Sequence, residues 1–320
     1  MLHLRIVSPF ESTEAVLDFL RTDPATANLA VLRAAALDPP GDLILCDLAR
    51  EGVNAVVSAM RELGIHDRGS IALENVDVSV SAAAQRAEAR VRGHGSDAAV
   101  WEDVDARVRD ESVLTAGFLA LLVIASVIAA VGLVEDAPIL IVGAMAVGPE
   151  FGPIAGLSVG IFKRRLSRIR VALVTLVVGL VAGTVAAFIA TVLMRGAGAL
   201  PEGFSTHTQP LTSFVVEPSM LSFAVALLAG VAGTLSLTQA KAGALIGVLI
   251  SVTTIPAVAA IGAAAALGDA EDARAAAVQL GINVAALVIA GVVTLWVQRE
   301  AWERVTGPAG RSSRPSAPAS

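Results

Sequence analysis

The 320 residues have a mean hydropathy of +0.73, with 55% hydrophobic and 16% charged side chains, too apolar for an ordinary soluble domain. Aromatic residues are 4% with no Tyr, and 28 glycines accompany Ala, Val, Leu and Ile, the mixture of closely packed membrane helices. A net charge of −6 argues against a nucleic-acid partner, and the single cysteine, Cys46, excludes an intrachain disulfide and a cysteine-based zinc site.

The first 110 residues carry most of the soluble character. LHLRIV (2–7) alternates like a strand, and STEAVLDFLRTD (12–23) reads as a helix with Ser12 or Thr13 as N-cap. ANLAVLRAAAL (27–37) and DLILCDL (42–48) read as strands around a DPPG turn. EGVNAVVSAMRELG (51–64) sets Val53, Val56, Val57, Met60 and Leu63 on one helical face, with Gly64 as its stop. SIALENVDVSV (70–80) closes with a strand. The order β-α-β-β-α-β is the ferredoxin-like pattern, here over residues 1–80, which hosts many functions and names none. Arg5, Glu11, Glu14 and Asp18 speak against a cleavable signal peptide, so this part is expected in the cytoplasm as a regulatory or oligomerisation domain.

Residues 81–112 read as one or two charged helices broken at GHGS and leading to the membrane, with Trp101 near the interface. Six apolar runs follow within 113–297, each near the ~20 residues that cross a bilayer. They are Val113–Leu133, Ala137–Phe162, Val171–Met194, Met220–Leu237, Gly243–Leu267 and Ala275–Val297. The cluster KRRLSRIR (163–170), with Lys241, Arg299 and Arg304, marks the cytoplasmic side, which places both termini inside and the chain in the cell membrane as a multi-pass protein. Anionic lipid is a second use for the basic cluster. Residues 298–320 form a cytoplasmic tail that ends in a Pro/Ser-rich, disordered stretch.

The second run is interrupted. GAMAVGPEFGPIAGLSVG (143–160) holds Pro149 and Pro153 around Glu150, with glycines at 148, 152, 156 and 160. Each proline lacks an N–H and clashes with the carbonyl four residues back, so the pair should stop regular helix. Ala137–Gly148 would give only ~18 Å of helix, short of the ~30 Å hydrocarbon core. Glu150 then lies within the membrane, unless 137–162 is a re-entrant hairpin. A carboxylate at that depth is a functional candidate, the alternative being a cavity-mouth group or a salt bridge. Gly148 and Gly152 serve the break; Gly156 and Gly160 suit close helix packing, as do Gly179/Gly183 and Gly243/Gly247.

Six spans divide into three plus three, and an odd unit must be inverted relative to its copy. Laying 143–153 on 247–257 puts Gly143 on Gly247, Pro149-Glu150 on Thr253-Thr254, and Pro153 one place from Pro256. A matched pair of interrupted helices is a sequence pointer to a transporter's substrate or ion site. The candidate binding residues are therefore Gly148, Pro149, Glu150, Gly152, Pro153, Thr253, Thr254, Pro256 and an inward-facing Asn283, with Thr238-Gln239 near the same cavity. His3, His66, His94 and His207 have no ligand partner at useful spacing, and no metal or cofactor is expected.

Residues 113–297 resemble the prokaryotic membrane proteins grouped as domain-of-unknown-function family 389. Gly143-Ala144-Met145, Pro149 and Gly152-Pro153-Ile154 carry the likeness, and Asn283 fits it. Gly148 stands where the family usually has Ser, and Glu150 where it usually has an aliphatic residue, so the resemblance implies that the break is shared and the acid is not. An N-terminal soluble domain is common in that family. Two functions stay open: a secondary transporter or channel-like carrier of a small solute or ion, and a membrane-anchored sensor or scaffold without transport. No HExxH, GxSxG or phosphate-binding loop supports an enzyme. The partners expected are lipid, the solute or ion, and further copies of the chain in a homo-oligomer.

Overall fold

The computed structural model describes residues 1–76, 80–91, 100–201, 220–238 and 254–306. It divides into two compact units, one built on Met1–Glu102, the other holding Asp103–Leu237 and Lys241–Gln298.

In the first unit, β1 (Leu2–Ser8), α1 (Thr13–Thr22), β2 (Thr26–Leu37), β3 (Pro40–Leu48), α2 (Val53–Glu62), a one-turn α3 (Ile65–Arg68) and β4 (Ser70–Asn75) follow the expected order. The sheet runs β2-β3-β1-β4 with antiparallel neighbours throughout. Alternation decides its faces: Leu2, Leu4 and Ile6 of β1 and Ile44, Cys46 and Leu48 of β3 turn inward. They meet Val16, Leu17 and Leu20 of α1 and Val53, Val56, Val57 and Met60 of α2 in one core. Gly64, at φ 71°, ends the α2 turn in the left-handed conformation that suits glycine. Three details differ from the sequence reading. Ser12 occupies the N-cap of α1 without a side-chain capping bond, while the Thr13 hydroxyl donates to the Pro9 carbonyl. The last strand stops at Asn75, with 77–79 outside the described residues. The charged segment is two helices, α4 (Ala82–Arg90), capped by Ser81, and α5 (Trp101–Glu111), and the second unit begins at Asp103 within α5.

The second unit is helical: α6 (Ala116–Val134), α7 (Pro138–Val147), α8 (Phe151–Phe162), α9 (Leu166–Gly196), α10 (Met220–Thr238), α11 (Ile255–Leu267) and α12 (Ala270–Thr306). Among the described residues three helices, α6, α9 and α12, are long and apolar enough to cross a membrane, and α7 with α8 makes a fourth if the bent pair is one span. The expected fourth run holds α10 and the second half of the expected fifth holds α11, both shorter apolar helices, with 243–253 outside the described residues. The first span begins at Ala116 rather than Val113, because the Thr115 hydroxyl accepts the Phe118 N–H and caps it.

Small residues set the helix contacts. A Cβ on Gly179 would meet Phe118 and Leu122 of α6 within 3.0 Å, and one on Gly183 would lie 2.4 Å from the Ser126 hydroxyl. A Cβ on Gly262 of α11 would fall 2.7 Å from the Thr184 carbonyl oxygen and the Phe188 nitrogen of α9. The Gly179/Gly183 pair therefore packs helices closely, and α9 carries α6 on one flank and α11 on another. Ser126, Thr184 and Thr191 each donate to the carbonyl four residues back, which satisfies the hydroxyl inside an apolar helix.

Candidate functional site

The helix break is where the sequence locates it, with one change in its cause. α7 ends at Val147 and α8 starts at Phe151, bent by 55°. Proline disfavours helical geometry in the residue before it, and Gly148, before Pro149, is extended at ψ 126°. Pro153, expected to stop helix as well, instead lies in the first turn of α8, where its missing N–H has no intrahelical partner to lose. Pro256 sits likewise in the first turn of α11. One proline breaks the segment; the other two each help to begin a helix.

Glu150 is the N-cap of α8 and Thr254 the N-cap of α11. Both are fully buried, at 0% exposure, and the Thr254 hydroxyl donates to Glu150 Oε1 at 2.7 Å. The residues that the 143–153/247–257 overlay superposes thus touch across the protein. Two helix N-termini bring partial positive charge to the carboxylate, which offsets part of the cost of burying it. Gly148 is required at the elbow, since a Cβ there would stand 2.4 Å from Glu150 Oε2 and 2.9 Å from Ile255 Cγ1.

The depth of the pair follows from α9. Val258 lies against Gly183, and Gly262 against Ala187, so α11 keeps step with α9 and Thr254 falls near residue 179. At 1.5 Å per residue that is about 20 Å from Leu166 and about 26 Å from Gly196, close to the middle of α9.

Asn283 is buried on α12 and accepts the Gln279 side-chain amide at 2.9 Å. Leu280 and Leu287, three before and four after it, pack against Ala257 and Val258 of α11 and against Ile154 and Leu157 of α8. Asn283 therefore occupies the α12 face turned to the starts of both short helices. The structure gathers Gly148, Pro149, Glu150, Gly152, Pro153, Thr254 and Pro256 at one break and sets Asn283 on the adjoining helix. Thr253 and Gln239 lie outside the described residues, as do His94 and His207. Thr238 is the last residue of α10. His3, read as isolated, has Asp47 at 2.9 Å from its Nδ1.

What the sequence reading missed is the packing of α5. Its Val104 and Val108 are buried, and Asp105 binds two members of the basic cluster: Lys163 Nζ at 2.7 Å and the Arg168 guanidinium at 2.7 and 2.8 Å. Arg165 approaches to 3.8 Å. Burial pushes the Asp105 carboxyl up, but Lys163 and Arg168 outweigh it and hold the group below the usual carboxylate value. The Ser112 hydroxyl shares its proton between the Val108 carbonyl at 2.5 Å and the Gly152 carbonyl at 3.0 Å, and a Cβ on Gly152 would collide with the Glu111 carbonyl oxygen at 2.3 Å. The signal was present as an i, i+4 apolar pair with an acid beside it, ahead of five bases. Among the described residues no three His, Cys, Asp or Glu side chains stand close enough to hold a metal ion.

Residues 145–289 match the family described as a domain of unknown function (DUF389). The matched segment contains the break, α9 to α11 and Asn283. No curated protein and no solved structure matches the chain.

Proposed function

We propose that this protein is a secondary transporter or channel-like carrier of a small solute or ion in the cell membrane, with six spans arranged as a 3+3 inverted repeat. The observation that carries the reading is the buried contact of Glu150 with Thr254, N-cap to N-cap, near mid-length of α9. Carriers use helix ends at this depth to bind solutes and ions, in segments whose backbone is interrupted. The repeat is supported by the shared local design, in which each short helix opens on a polar cap and a first-turn proline. In this reading both termini are cytoplasmic, the N-terminal unit regulates or assembles the protein, and the exposed Val177, Val181 and Val185 stripe of α9 faces lipid or a second copy in a homo-oligomer. No catalytic step, cofactor or metal enters it.

The test is reconstitution into liposomes and a screen of ion, amino-acid and small-solute flux against protein-free vesicles. Flux of one solute class above the protein-free rate supports the reading; none across the panel overturns it. A second reading, a sensor or scaffold without transport, draws on the complete burial of Glu150 and Thr254 in close-packed surroundings. It predicts no flux and no labelling of a cysteine at position 150 by water-soluble thiol reagents.

A further inference from the structure

We propose that α5 is a strap that sets the tilt of α8, latched by Asp105 at one end and by Ser112 at the other. The break leaves Pro149 without an N–H, so little helical hydrogen bonding joins α8 to α7, and its direction is set by what flanks it. One flank is α9, where a Cβ on Gly156 would reach Ala172 and one on Gly160 would reach Ile169. A second is α12, whose Leu287 packs with Ile154 and Leu157. A third is α5, which holds α8 through side-chain ion pairs just beyond its C-terminal end. Asp105 grips Lys163, the residue that follows α8, and Arg168, in the first turn of α9. Ser112 reaches the Gly152 carbonyl at the start of α8, and a Cβ on Gly156 would lie 2.3 Å from its hydroxyl.

The two spacings agree. Asp105 to Ser112 is seven residues, about 10 Å of helix, and Gly156 to Lys163 is the same. The strap therefore runs antiparallel to α8 and holds it at both ends. Glycines 152 and 156 are what let it lie so close. Gly152, read from the sequence as serving the break, and Gly156, read as a packing glycine, share this occupant. The Asp105 latch is half-buried rather than dry: Asp105 is 15%, Lys163 22% and Arg168 19% exposed. It can be reached by salt and protons, unlike the Glu150–Thr254 pair. Release of Asp105 frees α8 to swing about Gly148-Pro149. The proposal concerns the mechanics of α8 and holds whatever the protein carries.

The experiment is amide hydrogen exchange on the full-length protein in nanodiscs of phosphatidylcholine and phosphatidylglycerol. Three arms are compared with the wild type: Asp105→Asn, Gly152→Ala and Lys163→Gln, which removes the Asp105 partner that follows α8. The expected result is exchange in residues 151–162 faster by about tenfold or more in each arm, with α6 and α9 unchanged. Unchanged exchange in α8, or equal acceleration in α6 and α9, overturns the proposal. Any one arm that accumulates decides it.

Discussion

Replacing Thr254 with Val removes one hydroxyl and keeps the shape of the side chain. The lost contact is a 2.7 Å bond to a fully buried carboxylate. Bonds to charged groups contribute ~1.5–3 kcal/mol. Glu150 keeps further interactions, so the loss belongs at the low end, about 1–2 kcal/mol. Glu150→Gln has a different expectation. The amide oxygen still accepts from Thr254, through a neutral bond roughly half as strong, but the cost of burying the charge disappears. Glu150→Gln should therefore be near neutral or stabilising while Thr254→Val destabilises. Reversible unfolding in mixed micelles, run as a double-mutant cycle with Glu150→Leu as the second mutation, isolates the pair. A coupling of about 1–2 kcal/mol is expected, and a value under ~0.3 kcal/mol, the limit of simple additivity, refutes the reasoning.

Gly262→Ala should destabilise by about 1–3 kcal/mol, because its Cβ meets α9 backbone that cannot move aside, whereas Gly143→Ala, with nothing within 4 Å, should be neutral or better; paired thermal melts check both. Cys46 is buried and its thiol is pushed up to about 12, so iodoacetamide at pH 8 should leave it unmodified in the folded protein and alkylate it after denaturation, as read by mass spectrometry. Asp105 has a carboxyl held below its ordinary 3.8, so its contribution is complete above that value and is lost as pH falls through the lowered one. The stability gap between wild type and Asp105→Asn, about 1–3 kcal/mol at neutral pH for a part-exposed cluster, should close only below pH ~4; a gap that closes at pH 6 contradicts the assignment.

Much of this was legible in the chain because the signals are local. Period-two alternation in 2–7 and the Val53–Met60 stripe announce which faces meet in the first unit. Pro149 announces the break because a missing N–H needs no tertiary context to act. The role of Pro153 was misread for the same reason: proline looks alike in sequence whether it ends a helix or begins one, and only the position of the cap at Glu150 distinguishes them. The Thr254 contact was visible only as an overlay of two weakly similar stretches, since nothing local says that residues 104 apart in sequence form a hydrogen bond. The α5 strap was least legible. Its acids and the bases of 163–170 each have an adequate solvent or topology explanation alone, and their pairing is a property of the fold.

In the proposed carrier the interrupted helix is a working part. Once the liposome screen identifies a solute, its initial rate should be measured for wild type and for Pro149→Ala/Pro153→Ala, inserted at equal density and both shown to be monodisperse. The account predicts that removing the break slows transport at least about tenfold, a barrier change near 1.4 kcal/mol. Equal rates in the two proteins would contradict it.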